Sequence, residues 1–163
     1  MNKVSAIILA AGSGSRFGEI KQFKELNGKP IWVYSISTFI LSECVDELIL
    51  VVPNYSLETL KKSQTFISLN KKDNIKLVSG GESRKDSVIN GLKSVKEAND
   101  IVCIHDAARP FIKTSYIKYS IDACSEFDGA IIAIPAVDTV KKADNQLIKN
   151  TIDRESLWMA QTP

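Results

Sequence analysis

The sequence is poor in histidine and arginine, and its cysteines do not form a recognisable set. Of 21 basic residues four are Arg and the other 17 are Lys, and there are one His and three Cys. A single His and the absence of a C-x-x-C pair leave too few ligands for a zinc site of the usual spacing. The cysteines are odd in number and widely spaced, which favours small buried hydrophobes over a disulfide framework. We therefore expect a protein of the reducing cytoplasm.

Long apolar runs and a strong charge excess are also missing. No run approaches the roughly 18 residues of a membrane span, and the N-terminus enters a strand pattern without a signal peptide. The net charge of +2 is too small to indicate a nucleic-acid groove or an anionic membrane surface. With 44% hydrophobic and 25% charged residues, the 163-residue chain has the composition of a globular domain. We expect neither nucleic-acid nor membrane partners.

Short apolar runs alternate with segments of helical spacing along most of the chain. The first run, residues 4–10, ends at glycines, and similar runs follow at 47–52, 75–78, 101–104 and 130–134. Such runs are typical of strands buried on both faces. Helices are expected to begin near Pro30, at Ser56, at the capping-box pattern of Ser83 and Asp86, and at Thr114 or Ser115. The alternation predicts an α/β fold with a mostly parallel sheet between helices.

The pattern changes after Pro135. Residues 136–163 show no strong helical period, and β-like pieces at 138–142 and 150–153 flank a polar turn at 143–146. We interpret residues 1–135 as the α/β core and residues 136–163 as a hairpin or arm without a core of its own.

A glycine-containing loop follows the first strand. Gly12, Gly14 and Gly18 do not match the G-x-G-x-x-G dinucleotide fingerprint, because the third glycine is one position late. The loop also contains Arg16, and Lys21 follows closely. Two cations beside backbone N–H groups suit a triphosphate. An ordinary βα turn with solvated charges is the alternative that the loop alone leaves open.

Two further strand ends carry polar side chains. Gly80 and Gly81 lie between the third strand and a helix, and the segment from His105 to Arg109 follows the fourth strand. Ligands of open α/β sheets lie at the carboxyl ends of the strands. Asp106 at such an end is a candidate Mg²⁺ ligand, and Arg109 is a candidate for a second phosphate. We interpret His105 as a hydrogen-bonded structural residue rather than as a general base.

Taken together and in order, these motifs resemble those of the 2-C-methyl-D-erythritol 4-phosphate cytidylyltransferase family. The resemblance extends from the first strand to the last residue. The segments that carry it are L-A-A-G-x-G-x-R at 9–16, K-Q-F at 21–23, L-x-G-K-P at 26–30, G-G-x-x-R-x-x-S-V-x-x-G-L at 80–92, H-D-A-A-R-P at 105–110, P-x-x-D-T-V-K at 135–141 and D-R-x-x-L-W-x-A-Q-T-P at 153–163.

The resemblance implies transfer of CMP from CTP to methylerythritol phosphate, with release of pyrophosphate and use of Mg²⁺. It also implies a Rossmann-like α/β/α sandwich whose β-arm joins two protomers into a homodimer. The nucleotide would be held by small or polar positions, namely Ala10, Ala11, Gly12, Gly80, Gly81, Glu82, Ser87 and Ala107.

The same resemblance assigns the charged residues. Arg16 and Lys21 would hold the triphosphate and stabilise charge during the reaction. Asp106 would bind the metal ion and act on the substrate. Methylerythritol phosphate would be bound by Arg109, Thr139, Thr162 and Arg154, with Arg154 reaching across from the partner's arm. Arg84 receives no ligand role and is expected to brace the loop before its helix.

Some alternatives remain open at this level. Ribitol 5-phosphate cytidylyltransferases share the glycine loop and the reaction, although Ala108 and Lys141 favour the methylerythritol enzymes. The family also continues beyond the final Gln-Thr-Pro with a second metal-binding Asp, a phosphate-binding Lys and further elements. If those groups are absent, we expect a chain that binds CTP with greatly reduced turnover, or a CTP-binding and dimerisation module. An NAD-dependent dehydrogenase is disfavoured by the glycine spacing and the cation-rich loop.

Overall fold

The computed structural model describes residues 2–12, 14, 20–97 and 100–161 of the chain. Strands and helices alternate through most of these residues, as the sequence predicts. In chain order they are β1 (Val4–Leu9), β2 (Glu25–Leu26), β3 (Lys29–Pro30), α1 (Ile31–Leu41), β4 (Glu47–Val52), α2 (Leu57–Lys61), α3 (Gln64–Leu69), β5 (Ile75–Ser79), α4 (Arg84–Leu92), β6 (Ile101–Asp106), α5 (Thr114–Ala123), β7 (Ile132–Pro135), β8 (Lys141–Asp144), β9 (Leu147–Thr151) and β10 (Trp158–Gln161).

A parallel sheet of order β5-β4-β1-β6 forms the centre of the described structure. Its two inner strands, β1 and β4, are buried along their whole length because helices cover both faces. On one face, Ile8 and Leu50 pack with Trp32 of α1 and with residues of α2, α3 and α5. On the other, Ile7 packs with Val88 of α4. The α/β/α sandwich with a mostly parallel sheet is therefore confirmed.

The helix starts agree with the sequence only in part. The capping box before α4 is confirmed, because the Ser83 Oγ accepts from the Asp86 N–H and the Asp86 carboxylate accepts from the Ser83 N–H. Ser56 does not cap α2; its hydroxyl donates to the Pro53 carbonyl instead. Ser63 caps α3. Lys113 precedes α5 in the cap position and makes no side-chain cap there.

β6 is longer than the apolar run that predicts it. It continues through His105 and Asp106, because both residues stay in register with the end of β1. His105 is buried, and its Nε2 lies 3.0 Å from the Arg109 carbonyl oxygen. Its ring also contacts Phe39, with centroids 5.4 Å apart. These contacts support the interpretation of His105 as a structural residue.

The last apolar run does not join the parallel sheet. It forms β7, which pairs antiparallel with β10, so that Ile134 lies opposite Met159. The predicted hairpin is present as β8 and β9, and its turn residues Asn145 and Gln146 have positive φ. Since β7 precedes residue 136 and β10 follows it, pairing of strands crosses the proposed boundary between core and arm. The boundary itself stays a prediction.

Several large apolar side chains of the C-terminal half are exposed. Phe111 and Trp158 are 80% and 61% exposed. Leu147 and Ile148 of the hairpin are exposed as well. In a single copy of the chain, the described residues leave more than half of each of these four residues exposed.

The cysteines are less buried than the sequence predicts. Cys44, Cys103 and Cys124 are free thiols of intermediate burial. Burial raises the pKa of the Cys103 thiol to about 11, so this side chain stays protonated and unreactive at neutral pH. Among the described helices, none has both the length and the apolar character that a membrane span needs.

A buried carboxylate joins three strands at the amino end of the sheet. The Glu47 Oε2 of β4 accepts from the Ser5 hydroxyl at 2.8 Å and from the Lys96 N–H at 3.1 Å. The Glu47 Oε1 lies 2.7 Å from the Lys76 Nζ of β5, and that ammonium also donates to the Ser94 carbonyl. Burial by itself raises the pKa of Glu47, but the bonds from Lys76, Lys96 and Ser5 outweigh it and hold the pKa below 4.5. The charged form is thus part of the folded state.

Replacing Glu47 with Gln is expected to lower the free energy of unfolding by about 2 kcal/mol at neutral pH, because the ion pair is lost. A group whose pKa is lowered by folding stabilises the protein above its unfolded pKa and ceases to do so as pH falls through the folded pKa. The difference in the free energy of unfolding between wild type and Glu47→Gln should therefore become smaller below pH 4.5. Urea unfolding across this range measures it, with exposed Glu58→Gln as control. A difference independent of pH would contradict the assignment.

Candidate active site

The carboxyl ends of β1, β5 and β6 meet at one edge of the sheet and border a cavity of about 710 Å³. Parallel strands place their carboxyl ends together, so the three polar strand ends converge as the sequence predicts. The described residues that line the cavity are Leu9, Ala11, Gly12, Gly14, Lys21, Gln22, Gly81, Glu82, Ser83, Arg84, Ser87, Asp106, Ala108 and Arg109. The arrangement brings the glycine loop, the start of α4 and the end of β6 around a common space.

The glycine loop is attached to the segment that carries Lys21. The Gln22 side chain is buried, and its Nε2 donates to the carbonyl oxygens of Ala10 at 2.7 Å and Gly12 at 2.6 Å. Lys21 and Gln22 lie in a short 3-10 helix, and the next residue, Phe23, packs against the core. The position of Lys21 relative to the loop is therefore fixed through its neighbour.

The turn between β5 and α4 requires two glycines. A Cβ at Gly80 would lie 2.2 Å from the Ala11 Cβ, and one at Gly81 would lie 2.3 Å from the Asp86 Cβ. The Gly81 N–H donates to the Ser87 Oγ at 3.1 Å. Only glycine lets this turn approach the β1 loop so closely. A second cavity, of about 470 Å³, lies beside the turn and is lined by Ala11, Pro53, Asn54, Ser79, Gly80, Gly81 and Glu82.

Asp106 lies between two arginines. The Arg84 guanidinium donates to its Oδ1 from Nε at 3.1 Å and from Nη2 at 3.0 Å. The Arg109 Nε lies 4.0 Å from its Oδ2, and the Arg109 Nη1 donates to the Gln161 Oε1 at 2.5 Å. All three charged side chains are partly exposed to the cavity. Arg84 thus reaches from α4 to β6, a contact that sequence reasoning missed.

The charges around the cavity favour an anion with several phosphates. Among the described lining residues, Lys21, Arg84 and Arg109 supply three cations against the carboxylates of Glu82 and Asp106. Guanidinium and ammonium groups at the end of a parallel sheet suit phosphoryl oxygens. The cavity can neutralise charge on such a ligand, and its small residues let the backbone approach it.

The structure brings most of the predicted site residues together. Those that line the main cavity are Ala11, Gly12, Lys21, Gly81, Glu82, Ser87, Asp106 and Arg109, and Gly80 lines the second cavity. Ala10 and Ala107 are fully buried beneath the site, and Ala108 takes the place of Ala107 in the lining. The roles of these residues stay predictions.

Other predicted residues do not reach the cavity within one chain. Thr139 is exposed in the connection between β7 and β8. The Arg154 Nη1 donates to the Val137 carbonyl at 2.5 Å, and neither residue lines the cavity. Arg16 and Thr162 lie outside the described residues. The lining residues with polar side chains to which the sequence assigned no ligand role are Gln22, Ser83 and Arg84. Gln22 lies in the K-Q-F motif, and this motif could have identified it as a residue of the site.

Comparison with known proteins identifies the family of the chain. The sequence model described as "IspD: 2-C-methyl-D-erythritol 4-phosphate cytidylyltransferase" matches residues 4–163. The 2-C-methyl-D-erythritol 4-phosphate cytidylyltransferase of Dictyoglomus thermophilum is 45% identical over 166 residues, which cover 100% of this chain and 71% of that protein. A bifunctional IspD/IspF enzyme of Desulfotalea psychrophila is 39% identical, and here the chain spans 42% of the relative's length.

A solved structure is similar as well. The crystal structure of 4-diphosphocytidyl-2C-methyl-D-erythritol synthase from Anaerococcus prevotii superposes with a TM-score of 0.84 at 29% sequence identity, over 99% of this chain and 69% of that one. Fold and site together define an α/β protein with a polar cavity, lined by three cations among its described residues, at the carboxyl edge of its sheet. Within that class, the chain belongs to the 2-C-methyl-D-erythritol 4-phosphate cytidylyltransferase family. The family consists of CTP-dependent nucleotidyltransferases of isoprenoid biosynthesis.

Proposed function

We propose that this chain binds CTP in the cavity at the sheet edge and transfers its cytidylyl group to 2-C-methyl-D-erythritol 4-phosphate. A phosphate oxygen of the polyol attacks the α-phosphorus of CTP, the bond to the bridging oxygen breaks, and pyrophosphate leaves. The nucleophile is already an anion, so the reaction needs no strong base. Positioning and charge neutralisation are the main requirements.

The observation that carries the proposal is the composition of the cavity wall. Lys21, Arg84 and Arg109 lie around the same space as the Gly81-Glu82 turn and the Ser87 hydroxyl. Three cations suit the triphosphate and the polyol phosphate, whereas the turn and the hydroxyl offer hydrogen-bonding groups for a base. The only His, His105, is buried against the Arg109 carbonyl, which accords with a reaction without a general base.

Within this proposal each side chain has a defined task. Lys21 holds the phosphates of CTP and neutralises charge that develops on them, a task shared with Arg16. Glu82, Ser87 and the backbone of Gly80 and Gly81 contact the cytosine. Arg109 binds the polyol phosphate, and its bond to Gln161 orients the guanidinium from β10.

The site also suits Mg²⁺, which typically binds to one or two carboxylates together with substrate phosphates. Asp106 supplies such a carboxylate at the cavity wall. Among the described residues there is no cluster of three potential ligands that would hold an ion without substrate. We propose Asp106 as the protein ligand; the ion would neutralise charge on the phosphates when bound.

The test is a transfer assay with purified protein, CTP and Mg²⁺, in which pyrophosphate release is followed. Methylerythritol phosphate and ribitol 5-phosphate are offered in parallel as acceptors. Release with the first and not with the second supports the proposal. Binding of CTP by calorimetry without release for either acceptor would identify a nucleotide-binding module instead.

We also propose that the protein acts as a cytoplasmic homodimer, with residues 136–163 forming the contact. The hairpin of β8 and β9 is exposed along its length, and it carries Leu147 and Ile148. Val137 and Trp158 extend the apolar surface. A second copy would bury these side chains and bring its Arg154 and Thr139 toward the cavity. The free cysteines accord with a reducing compartment.

Replacing both Leu147 and Ile148 with Asp is expected to convert dimer to monomer, because a charge at each position cannot be buried in an apolar contact. Sedimentation equilibrium measures the change, with Lys118→Asp on the surface of α5 as a charge-matched control. The fold should be retained in both variants, since neither site belongs to the core. A wild-type protein that sediments as a monomer would contradict the proposal.

A further inference from the structure

The buried amide of Gln22 makes two polar contacts at the site to which the proposed reaction assigns no role. Gln22 is 5% exposed, and its Nε2 donates to two main-chain oxygens of the glycine loop. The acceptors, Ala10 and Gly12, lie 12 and 10 residues earlier in the chain. One side chain therefore ties the end of β1 to the segment that carries Lys21.

The orientation of this amide is determined by its surroundings. If the side-chain oxygen took the place of Nε2, it would face two carbonyl oxygens within 3 Å, three acceptors with no proton between them. With the nitrogen there, each of its two N–H groups meets one carbonyl. Because the side chain is buried, water cannot easily replace a lost bond. No other natural side chain of similar length offers two donors from one neutral atom.

The contact controls the direction of the loop backbone. In a planar trans peptide, the C=O of one residue and the N–H of the next point in opposite directions. Since the Ala10 carbonyl points to Gln22, the Ala11 N–H points away from it. Ala11 and Gly12 line the main cavity, so their peptide groups are those that a bound phosphate or base would meet. Gln22 therefore fixes the orientation of peptide groups in the loop, and it fixes the position of the Lys21 backbone at the same time.

We propose that Gln22 is a positioning residue of the CTP site, which holds the glycine loop and Lys21 in the relative arrangement that binds the nucleotide. The inference rests on the proposed function, because it assigns the loop to CTP. It does not involve the acceptor phosphate, for which Arg109, beyond the end of β6, is the proposed binding residue. A positioning role thus predicts a selective effect on one substrate.

The decisive variant is Gln22→Met, which keeps length and volume but removes both donors. We expect its Kd for CTP to rise about tenfold to a hundredfold, because the Ala10 and Gly12 carbonyls lose their donor and the loop relaxes. The Kd for methylerythritol phosphate should change by less than about threefold, within the scatter of surface substitutions. Titration calorimetry with each ligand alone gives both values without turnover. The exposed Gln64→Met is the matched control.

A second variant separates hydrogen bonding from packing. Gln22→Glu has the same shape, but at neutral pH its carboxylate would face the two carbonyl oxygens. We expect it to lose at least as much CTP affinity as Gln22→Met. If Gln22 served only to fill space, Met would be tolerated and both ligands would bind as in wild type. Thermal unfolding of each variant establishes that binding is measured on folded protein.

The outcomes distinguish this inference from the proposed function. If wild type does not bind CTP, the proposed function fails. If wild type binds CTP and Gln22→Met binds it equally well, only the positioning role is overturned. Equal losses of both affinities would also overturn it, because they would indicate a general structural defect. A selective loss for CTP supports it.

Discussion

Replacing Lys21 with Met is expected to lower kcat by about a thousandfold, with a smaller rise in the KM for CTP. An ammonium placed at the phosphates contributes most where charge increases, and removal of one such group typically costs about 10²–10³ in rate. Lys21 lines the cavity, and the Gln22 contacts hold its backbone beside the glycine loop. Steady-state measurement of pyrophosphate release at saturating acceptor gives both constants.

The matched control is Lys24→Met, three residues further along. Lys24 is exposed and does not line the cavity, so this variant removes the same charge from the same segment. We expect its kcat to lie within about twofold of wild type, as is usual for surface substitutions. Equal losses in the two variants would show that net charge, rather than the position of Lys21, determines the rate.

The core of this fold follows directly from local patterns in the sequence. The runs that form β1 and β4 are apolar at every position except Ser5 and Glu47, so they predict strands covered on both faces. The capping box of Ser83 and Asp86 is equally local, because its two bonds join residues three apart. Features of this kind need no knowledge of the tertiary structure.

Other features depend on which segments meet in space. β6 extends into His105 and Asp106 because it stays paired with β1, although hydrophobicity ends earlier. The run at 130–134 has the same apolar character as the core strands, yet its partner is β10. Hydrophobicity predicts that a strand is buried or paired, but it does not identify the partner.

The candidate site also combines features that local motifs predict with features that depend on the tertiary structure. Motifs place Lys21, Asp106 and Arg109 at one sheet edge, and the structure brings them to one cavity. The pairing of Arg84 with Asp106 spans 22 residues, and it depends on the length and direction of a guanidinium rather than on spacing. Arg154 lies outside the cavity within one chain, as expected of a residue that reaches across from a partner. Thr139, for which the sequence predicts no such reach, lies outside the cavity as well.

Substitution of Asp106 by Asn is expected to reduce turnover without weakening the binding of CTP. Asp106 carries a negative charge between Arg84 and Arg109, so its neutralisation leaves the cavity more positive and releases both guanidinium groups. CTP should therefore bind at least as tightly as in wild type when Mg²⁺ is absent. The kcat should fall by about a hundredfold or more, because the proposed metal ligand and the orientation of Arg109 are lost together.

Calorimetric titration of CTP with and without Mg²⁺, together with the transfer assay, tests this separation. Addition of Mg²⁺ should change the CTP affinity of wild type, and it should change the CTP affinity of Asp106→Asn by a smaller factor. Asp122→Asn serves as control, because Asp122 is exposed on α5 and does not line the cavity. Parallel losses of CTP affinity and kcat would mean that Asp106 supports the shape of the site through its arginines. Retained turnover would remove Asp106 from the reaction altogether, and the phosphates would then be neutralised by Lys21 and the arginines without a carboxylate-held ion.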